Sequence, residues 1–260
     1  IGFVMPHILL RKPWGFDAPR RGAFPYRESS SSLNEFLWGH AGLALAKVLL
    51  REFEDVGWFA HVRGAPRDTL AGGILADVLP LIQVDECDVL ASVLPATDLV
   101  ISDDQERTLG ECGFIPLVHC WQTSYCAFYS LPSMYRPTKT SDEERDKNDR
   151  IASQLQNILC ASRFAHYIKV IMREKVGSYI NAEQCQSYLE DWLSTHCISG
   201  ENLPWSTQAR YPLKAAQLKV KEKPADPGHF TCDIHLVPHY QYDGLVGEIR
   251  LTTEIARGQT

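Results

Sequence analysis

Histidine and cysteine residues gather near the end of the chain, where their types and spacing could suit a metal ion. His229, Cys232, His235 and His239 lie in one short stretch, and imidazole and thiolate groups are the usual zinc ligands. A zinc site needs ligands that converge, whereas successive residues of a strand point to opposite faces, so Cys232 is predicted to point away from His229 and His235. Pro238 would disturb the strand just before His239. The sequence therefore predicts no metal site here.

A cysteine nucleophile with a histidine base is the other chemistry that these residue types could perform, and His119, Cys120 and Cys126 lie close together in the sequence. Such a pair also needs a third group that orients the base, and no local signature marks any of these cysteines. The motifs GxSxG, HExxH and GxxxxGKS/T, and a GxGxxG after a strand, are missing from the sequence. We therefore expect a protein that is not an enzyme and binds no cofactor. A thiol- or zinc-dependent enzyme using residues near Cys232 is the alternative from a different class.

Four basic or titratable residues recur on one side of the strongest predicted helix, which runs over residues 150–176. They are Arg163, His166, Lys169 and Arg173, and at about 100° of turn per residue they fall within about a third of the helix circumference. A solvated helix face is the ordinary reading of this basic stripe. The functional reading is a matching acidic surface on a partner, because the rest of the helix is apolar and the net charge of the chain is -6.

Helix and strand signals alternate in the first part of the chain. Ile1 to Leu10 is an apolar run of strand length, and a helix is predicted to start with the capping box Ser32–Glu35 and to end at Gly57. Its predicted apolar face contains Phe36, Leu37, Leu43, Ala44, Val48 and Phe53. A second capping box at Ser102 opens a short helix, and a buried strand is predicted from Phe114 to Cys120. This alternation predicts a mixed α/β fold, with helices packed on a mixed sheet.

Charge and then helical periodicity mark the second part of the chain. Residues 138–150 are mostly charged and have no large apolar side chain, so they are predicted to be a solvated connection or the polar start of a helix. The helix that follows ends at Gly177, and Asn181 with Gln184 caps another helix, which carries an apolar stripe. We place the best internal boundary of the chain in the charged segment.

The apolar period changes to two from Leu213 onward. Strands are predicted at 213–222, 230–237 and 245–255, with turn signals at Pro224 to Gly228 and at Tyr242 to Gly244. The chain is therefore predicted to end in a β-meander. The predicted regions are a mixed α/β region at 1–140, a helical region at 141–212 and the terminal meander at 213–260.

The bulk composition restricts the class of protein. A net charge of -6 gives no generally basic surface for nucleic acid, and the apolar stretches fall short of the roughly 20 residues that span a membrane. Eight scattered cysteines suit reduced thiols and a cytoplasmic location. The chain opens on Ile1 without an initiator methionine or a leader, so we expect that Ile1 is not the native start.

Several motifs resemble one protein family. The sixteen residues Arg163 to Ser178, RFAHYIKVIMREKVGS, are similar to the long-helix motif of the large sheath subunit of type VI secretion systems, the TssC or VipB type. Pro238 to Gln241 resembles the turn before the last strand of that family. Earlier segments resemble it in the same order, among them 57–64 and 101–118. The resemblance spans nearly the whole chain and implies the carboxy-terminal part of a family member.

The resemblance implies a structural role in a contractile sheath. It implies a heterodimer with a small sheath subunit of the TssB or VipA type, helical stacking of further copies around an inner tube protein, and contraction that drives effector delivery. It also implies recycling by an AAA+ ATPase through an amino-terminal segment that lies upstream of Ile1. Neighbouring subunits of the family are linked by donated strands.

The terminal meander fits such strand exchange independently, because the edge strands of a sheet carry unpaired amides and carbonyls. We therefore predict that residues 213–255 form the strand-exchange region. The predicted interface residues are Arg163, His166, Lys169, Arg173, Leu218, Val220, Leu245, Ile249 and Leu251. A sheath-like adaptor or baseplate-associated paralogue is the alternative that stays open.

Overall fold

The computed structural model describes residues 1–14, 28, 36–66, 69–76, 79–80, 82–83, 93–94, 96–120, 123–176, 181–200, 203–222, 230–239, 241–242, 245–246 and 248–255. The chain forms two compact units. The first unit consists of Ile1–Glu54 and Val62–Tyr135, and the second consists of Asp55–His61 and Arg136–Thr260. Whether the predicted regions 1–140, 141–212 and 213–260 act as domains stays a prediction.

The elements up to residue 128 are, in chain order, β1 (Phe3–Met5), β2 (His7–Leu9), β3 (Trp38–His40), α1 (Gly42–Val56), β4 (Ile74–Leu75), β5 (Ile82–Gln83), β6 (Val93–Leu94), α2 (Asp103–Glu111), β7 (Phe114–His119) and β8 (Cys126–Phe128). The later elements are α3 (Glu143–Ala152), α4 (Leu155–Val176), α5 (Ala182–Ser194), α6 (Trp205–Arg210), β9 (Leu213–Glu222), β10 (Phe230–Pro238), β11 (Gln241–Tyr242), β12 (Leu245–Val246) and β13 (Ile249–Ile255).

The first unit is built on a mixed sheet with the strand order β1-β7-β8-β4. Strand β1 runs parallel to β7, with Phe3 opposite Phe114, and the other neighbouring pairs are antiparallel. Ile115, Leu117 and Val118 of β7 are buried, as expected for an apolar strand in the middle of a sheet. The mixed α/β fold and the buried strand after residue 113 are therefore confirmed.

Gly73 lies where two segments of backbone meet in the first unit. Its amide donates to the carbonyl oxygen of Gly64 at 2.8 Å, and its own carbonyl oxygen accepts from the amide of Phe128 at 3.0 Å. A Cβ atom at residue 73 would collide with the carbonyl oxygen of Phe128. Because that obstacle is backbone, only glycine permits this approach.

The prediction for the first long helix was wrong at its start. Trp38–His40, which the sequence places in the helix, is the strand β3 and pairs with β2 in an antiparallel register. Helix α1 begins at Gly42, whose amide donates to Nδ1 of His40 at 2.9 Å. The predicted capping box Ser32–Glu35 lies outside the described residues. The end of the helix is confirmed, because Gly57 follows α1 with a φ of 78°.

The buried face of α1 also differs from the predicted one. Ala44, Leu45 and Val48 are buried, whereas Leu43 is 60% and Phe53 44% exposed. Apolar residues lie on most of the circumference of this helix, so the spacing of apolar residues does not identify the side that faces the core. The helix itself was predicted, but the face that it buries was predicted only in part.

Both capping boxes that lie within the described residues are confirmed. The Ser102 hydroxyl accepts from the amide of Gln105, and the Gln105 side chain accepts from the amide of Ser102. Asn181 and Gln184 make the same reciprocal pair at the start of α5. Such pairs satisfy amides that the first helical turn leaves without an intrahelical partner.

The charged segment at 138–150 continues into a helix. Asp142 caps α3 by accepting from the amides of Glu144 and Arg145, and Lys147 forms a pair with Glu143 at 2.7 Å. Ile151 is the buried residue of this helix among those described. The alternative in which the charged residues are the polar start of a helix is therefore the correct one.

The terminal meander is a three-stranded antiparallel sheet with the order β13-β10-β9. The predicted third strand at 245–255 is in fact two strands, because Leu245–Val246 pairs with Gln241–Tyr242 and β13 begins at Ile249. One face of the sheet packs on α4 and α5 in a single core that includes Phe164, Leu189 and Cys232. The opposite face carries Lys219, Lys221, Asp233 and Arg250.

Candidate assembly interface

The basic stripe of α4 is partly exposed. His166, Lys169 and Arg173 are exposed, and Arg163 is half-buried. The other side of the helix is anchored in the core, because Phe164 and Ile168 are fully buried. Three of the four predicted stripe residues thus present side chains on the surface of the second unit.

Arg163 binds within the second unit. One of its guanidinium nitrogens donates to the carbonyl oxygen of Gly57, and another donates to the Tyr167 hydroxyl at 2.8 Å. The guanidinium carbon lies 4.8 Å from the centroid of the Trp58 ring, within the range of an attractive cation–π contact. Arg163 therefore ties the segment after α1 to α4, a role that its position in the stripe did not reveal.

Aromatic side chains surround that contact. The Trp58 ring stacks on Phe164 with a centroid separation of 4.3 Å. The centroids of the Trp58 and His196 rings are 5.2 Å apart, and the two rings are nearly perpendicular. Burial lowers the pKa of His196 below its ordinary value, and the nearby charge of Arg163 acts in the same direction. The imidazole is consequently held in its neutral form in the folded protein.

The predicted interface residues of the terminal sheet are largely committed to the core. Leu218, Val220 and Ile249 are buried, and Leu251 is partly buried against the same core. Leu245 belongs to β12 and pairs with Tyr242. Contacts of β9 and β13 with another chain would therefore use backbone groups, and the interface assignment itself stays a prediction.

The outer face of the sheet is a network of polar side chains. Asp233 in the central strand accepts from the Thr252 hydroxyl at 3.0 Å and lies 3.8 Å from Nζ of Lys221. Glu248 lies 3.1 Å from Nε2 of His235 and 3.6 Å from a guanidinium nitrogen of Arg250. The side chains on this face are polar and at least partly exposed, whereas those on the helix-facing side are mostly apolar and buried.

A groove lies between α3 and the start of β13, and no sequence pattern predicts it. Its volume is about 800 Å³, and it is lined by Asp142, Glu144, Arg145, Asn148, Asp149, Ala152, Glu248, Ile249 and Arg250. The amide of Glu248 donates to Oδ1 of Asn148 at 2.7 Å. These two residues are separated by 100 positions in the chain, so local pattern could not bring them together.

The thiols of the core are poorly suited to nucleophilic chemistry. Burial raises the pKa of Cys126, Cys160 and Cys232 to about 12 in each case. A thiol reacts as its thiolate, which is scarce at neutral pH when the pKa is this high. Burial also lowers the pKa of His119, whose Nδ1 lies 4.0 Å from the sulfur of Cys126.

The candidate metal ligands near the chain end are divided between the two faces of the sheet. Cys232 is fully buried on the helix side, and His235 faces Glu248 on the outer side. His229 lies outside the described residues. Within the part of the chain that the structure describes, no group of three histidine, cysteine, aspartate or glutamate side chains is placed to hold a metal ion.

Among the described residues, no helix combines the length and the apolar character needed to cross a membrane.

Comparison with known families gives two matches that together cover most of the chain. Residues 1–135 match the model described as EvpB/VC_A0108, tail sheath N-terminal domain. Residues 144–255 match the model described as EvpB/VC_A0108, tail sheath gpW/gp25-like domain.

Two individual proteins are similar to the chain. The type VI secretion system sheath protein TssC1 of Pseudomonas aeruginosa is 31% identical over 259 residues, which are 98% of this chain and 51% of that protein. The chain thus spans about half the length of this relative. The sheath tail protein Lin1278 of Listeria innocua is 13% identical with a TM-score of 0.37, over 64% of this chain and 36% of that one.

Proposed function

Because the chain belongs to the EvpB/VC_A0108 tail sheath family, whose models match 1–135 and 144–255, we propose that it is part of the large subunit of a type VI secretion sheath. The family match over both units is the observation that carries the proposal. The role is structural: the subunit assembles into a helical sheath in the cytoplasm and contracts to drive effector delivery.

The terminal sheet supports an assembly role. Its core face is buried against α4 and α5, while β9 and β13 are its edge strands. An edge strand can pair with an extended segment of another chain through backbone hydrogen bonds alone. We propose that residues 213–255 link neighbouring subunits by strand exchange.

The exposed part of the basic stripe supports a second contact. His166, Lys169 and Arg173 are exposed on α4, in a chain whose net charge is -6. We propose that they meet an acidic surface on a neighbouring subunit or on the inner tube protein, because opposite charges across an interface fix register and partner choice. We leave Arg163 out of this proposed contact, because it binds Gly57 and Trp58 within the second unit.

The proposed partners follow from the sheath role. They are a small sheath subunit of the TssB or VipA type, further copies of the same subunit and an inner tube protein. An AAA+ ATPase would recycle the contracted sheath. Contacts that repeat from copy to copy without closing a ring generate a helical filament, and two alternative packings of that filament allow it to shorten by rigid-body rotation.

The test is co-expression of the full-length protein with a small sheath subunit of the TssB or VipA type, followed by electron microscopy. Hollow helical tubules of two lengths, extended and contracted, are the expected result. Particles that bind the end of a sheath without lengthening it would identify an adaptor instead. Absence of any complex with the small subunit would overturn the proposal.

A further inference from the structure

The two edge strands of the terminal sheet are not equivalent. On β9, the amide of Val220 donates to Oε1 of Gln186 on α5 at 3.2 Å. The same Gln186 side chain donates to Glu190 at 2.9 Å, which fixes its position. The amide of Val220, which points away from the sheet, is therefore already bonded.

The start of β9 is closed as well. The carbonyl oxygen of Leu213 accepts from the amide of Ile198 at 3.0 Å, and the amide of Leu213 donates to His196. Lys219 and Lys221 are exposed on the same strand. Charged side chains on an edge strand, lysines above all, disfavour the addition of another strand. Strand β9 is thus closed at both ends and protected by charge.

The register fixes which groups of β13 point outward. In an antiparallel ladder, the amide and carbonyl of one residue point to one side, and those of the next residue point to the other. Since Val220 points away from β10, its partner Cys232 bonds towards β13, where it is paired with Thr253. Thr253 therefore bonds to β10, while the backbone groups of Arg250 and Thr252 point away from the sheet.

Among the side chains that the structure describes, none closes β13 as Gln186 closes β9. Across the described ranges, no residue beyond the sheet itself bonds to the backbone of Arg250 or Thr252. The groove against α3 runs beside the start of the strand and is lined by Ile249 and Arg250. Helix α3 therefore leaves room beside the start of β13.

The charge of the groove indicates what would enter it. Four carboxylates, of Asp142, Glu144, Asp149 and Glu248, line it together with two arginines. Arg250 is already 3.6 Å from Glu248 and Arg145 3.9 Å from Asp149. A lysine or arginine side chain on the entering segment would balance the remaining negative charge.

We propose that β13 is the edge that accepts an extended segment of another subunit, and that Gln186 closes β9 so that strand addition occurs on one side alone. The segment carries a basic side chain where it passes the groove. The inference rests on the proposed sheath function, because it names the edge that strand exchange uses.

Proline substitution tests the choice of edge. Thr252→Pro removes an outward amide of β13 and leaves the ladder to β10 intact, because that amide does not bond to β10. Ala216→Pro removes an outward amide of β9 in the same way. Residue 216 is four positions before Val220 in an unbroken stretch of the strand, so its amide points to the same side. Thr252→Val keeps the amide and loses the hydroxyl contact with Asp233, so it controls for that contact.

Each variant is made in the full-length protein, co-expressed with the small sheath subunit, and the yield of tubules is counted by electron microscopy. We expect Thr252→Pro to lower the yield at least tenfold, whereas Ala216→Pro and Thr252→Val change it less than twofold. The reverse ranking of the two prolines, or equal yields, overturns the inference while tubules of the unsubstituted protein uphold the sheath function. If the unsubstituted protein forms no tubules, the proposed function fails first.

Hydrogen exchange gives a readout that does not depend on tubule yield. On assembly, amide exchange at 249–255 should slow at least tenfold, while exchange at 213–222 should change little because β9 is already closed. Gln186→Met has a similar size and no acceptor, so it should speed exchange at Val220 in the free full-length subunit. New protection at 213–222 with none at 249–255 contradicts the assignment.

Discussion

The guanidinium carbon of Arg163 lies 4.8 Å from the centre of the Trp58 ring, and the same side chain donates to the carbonyl oxygen of Gly57. A residue in a surface stripe thus holds together two segments that are 106 positions apart in the chain. The basic stripe of α4 therefore has two parts with different roles, and substitutions can separate them.

Arg163→Met should lower the free energy of unfolding by about 2 kcal/mol, because it removes both a charged hydrogen-bond donor and a cation–π contact. Urea unfolding of the full-length protein measures this. Lys169→Met, on the exposed side of the same helix, is the matched control and should change stability by no more than about 0.5 kcal/mol. Equal effects of the two substitutions would show that the Arg163 contacts contribute nothing.

Reversing the exposed charges of the stripe should impair assembly and leave stability unchanged. Lys169→Glu together with Arg173→Glu should leave the unfolding midpoint nearly unchanged and lower the yield of tubules at least tenfold, since like charges across an interface repel. Glu174→Lys, an exposed reversal on the same helix, is the control for a general effect of charge. Normal tubules from the double reversal would remove the stripe from the interface.

Stability should fall with acidification because of His196. Its pKa in the folded protein is lowered, first by burial and then by Arg163, so the unfolded chain takes up its proton at a higher pH than the folded one. The stabilising contribution is complete above the ordinary histidine pKa of about 6.5 and is lost as pH falls through the lower folded value. His196→Gln should give a shallower fall in unfolding free energy below pH 6.5, measured by urea titration at several pH values. Parallel curves for the two proteins would count against a neutral buried imidazole.

Gly73→Ala should destabilise the first unit by roughly 1 to 3 kcal/mol, the usual cost of forcing atoms into a filled space. The added methyl group collides with the carbonyl oxygen of Phe128, and a backbone obstacle cannot rotate away. Gly110→Ala is the control, because residue 110 lies in α2 and its added methyl group would meet Oγ of Ser130 at 3.3 Å, a side-chain atom that can shift, and alanine favours a helix by up to about 1 kcal/mol. Amide exchange at 126–128 in the full-length protein reports the difference, which should be absent in the control.

Features that depend on neighbouring residues were predictable from the sequence, and features that depend on distant partners were not. The caps at Ser102 and Asn181 are reciprocal contacts across three residues, and both form as predicted. The prediction placed Trp38–His40 in a helix. The pairing that makes it a strand is with His7–Leu9, about thirty residues earlier, and the neighbouring residues carry no sign of it. Long-range pairing overrode local propensity there.

The candidate interface shows the same division. Alternation predicted β9 and β10 of the terminal sheet, since period two is a local signal, but it merged β12 and β13 into one strand. Which side chains would remain free was not predictable, because the burial of Leu218 and Val220 depends on how α4 and α5 cover the sheet. The closing contact of Gln186 with Val220 joins residues 34 positions apart and has no sequence signature.

The interleaving of the two units constrains how the protein is made. Asp55–His61 belongs to the second unit although first-unit sequence flanks it on both sides, and its Trp58 stacks on a residue of α4. At translation rates of about 5 to 20 residues per second, Trp58 is added to the chain roughly 5 to 20 seconds before Phe164. During that interval an indole ring has no permanent partner, so the nascent chain is open to chaperone capture. A gene fragment that starts at residue 136 encodes a second unit without Trp58, which makes simple truncation a poor route to an isolated half.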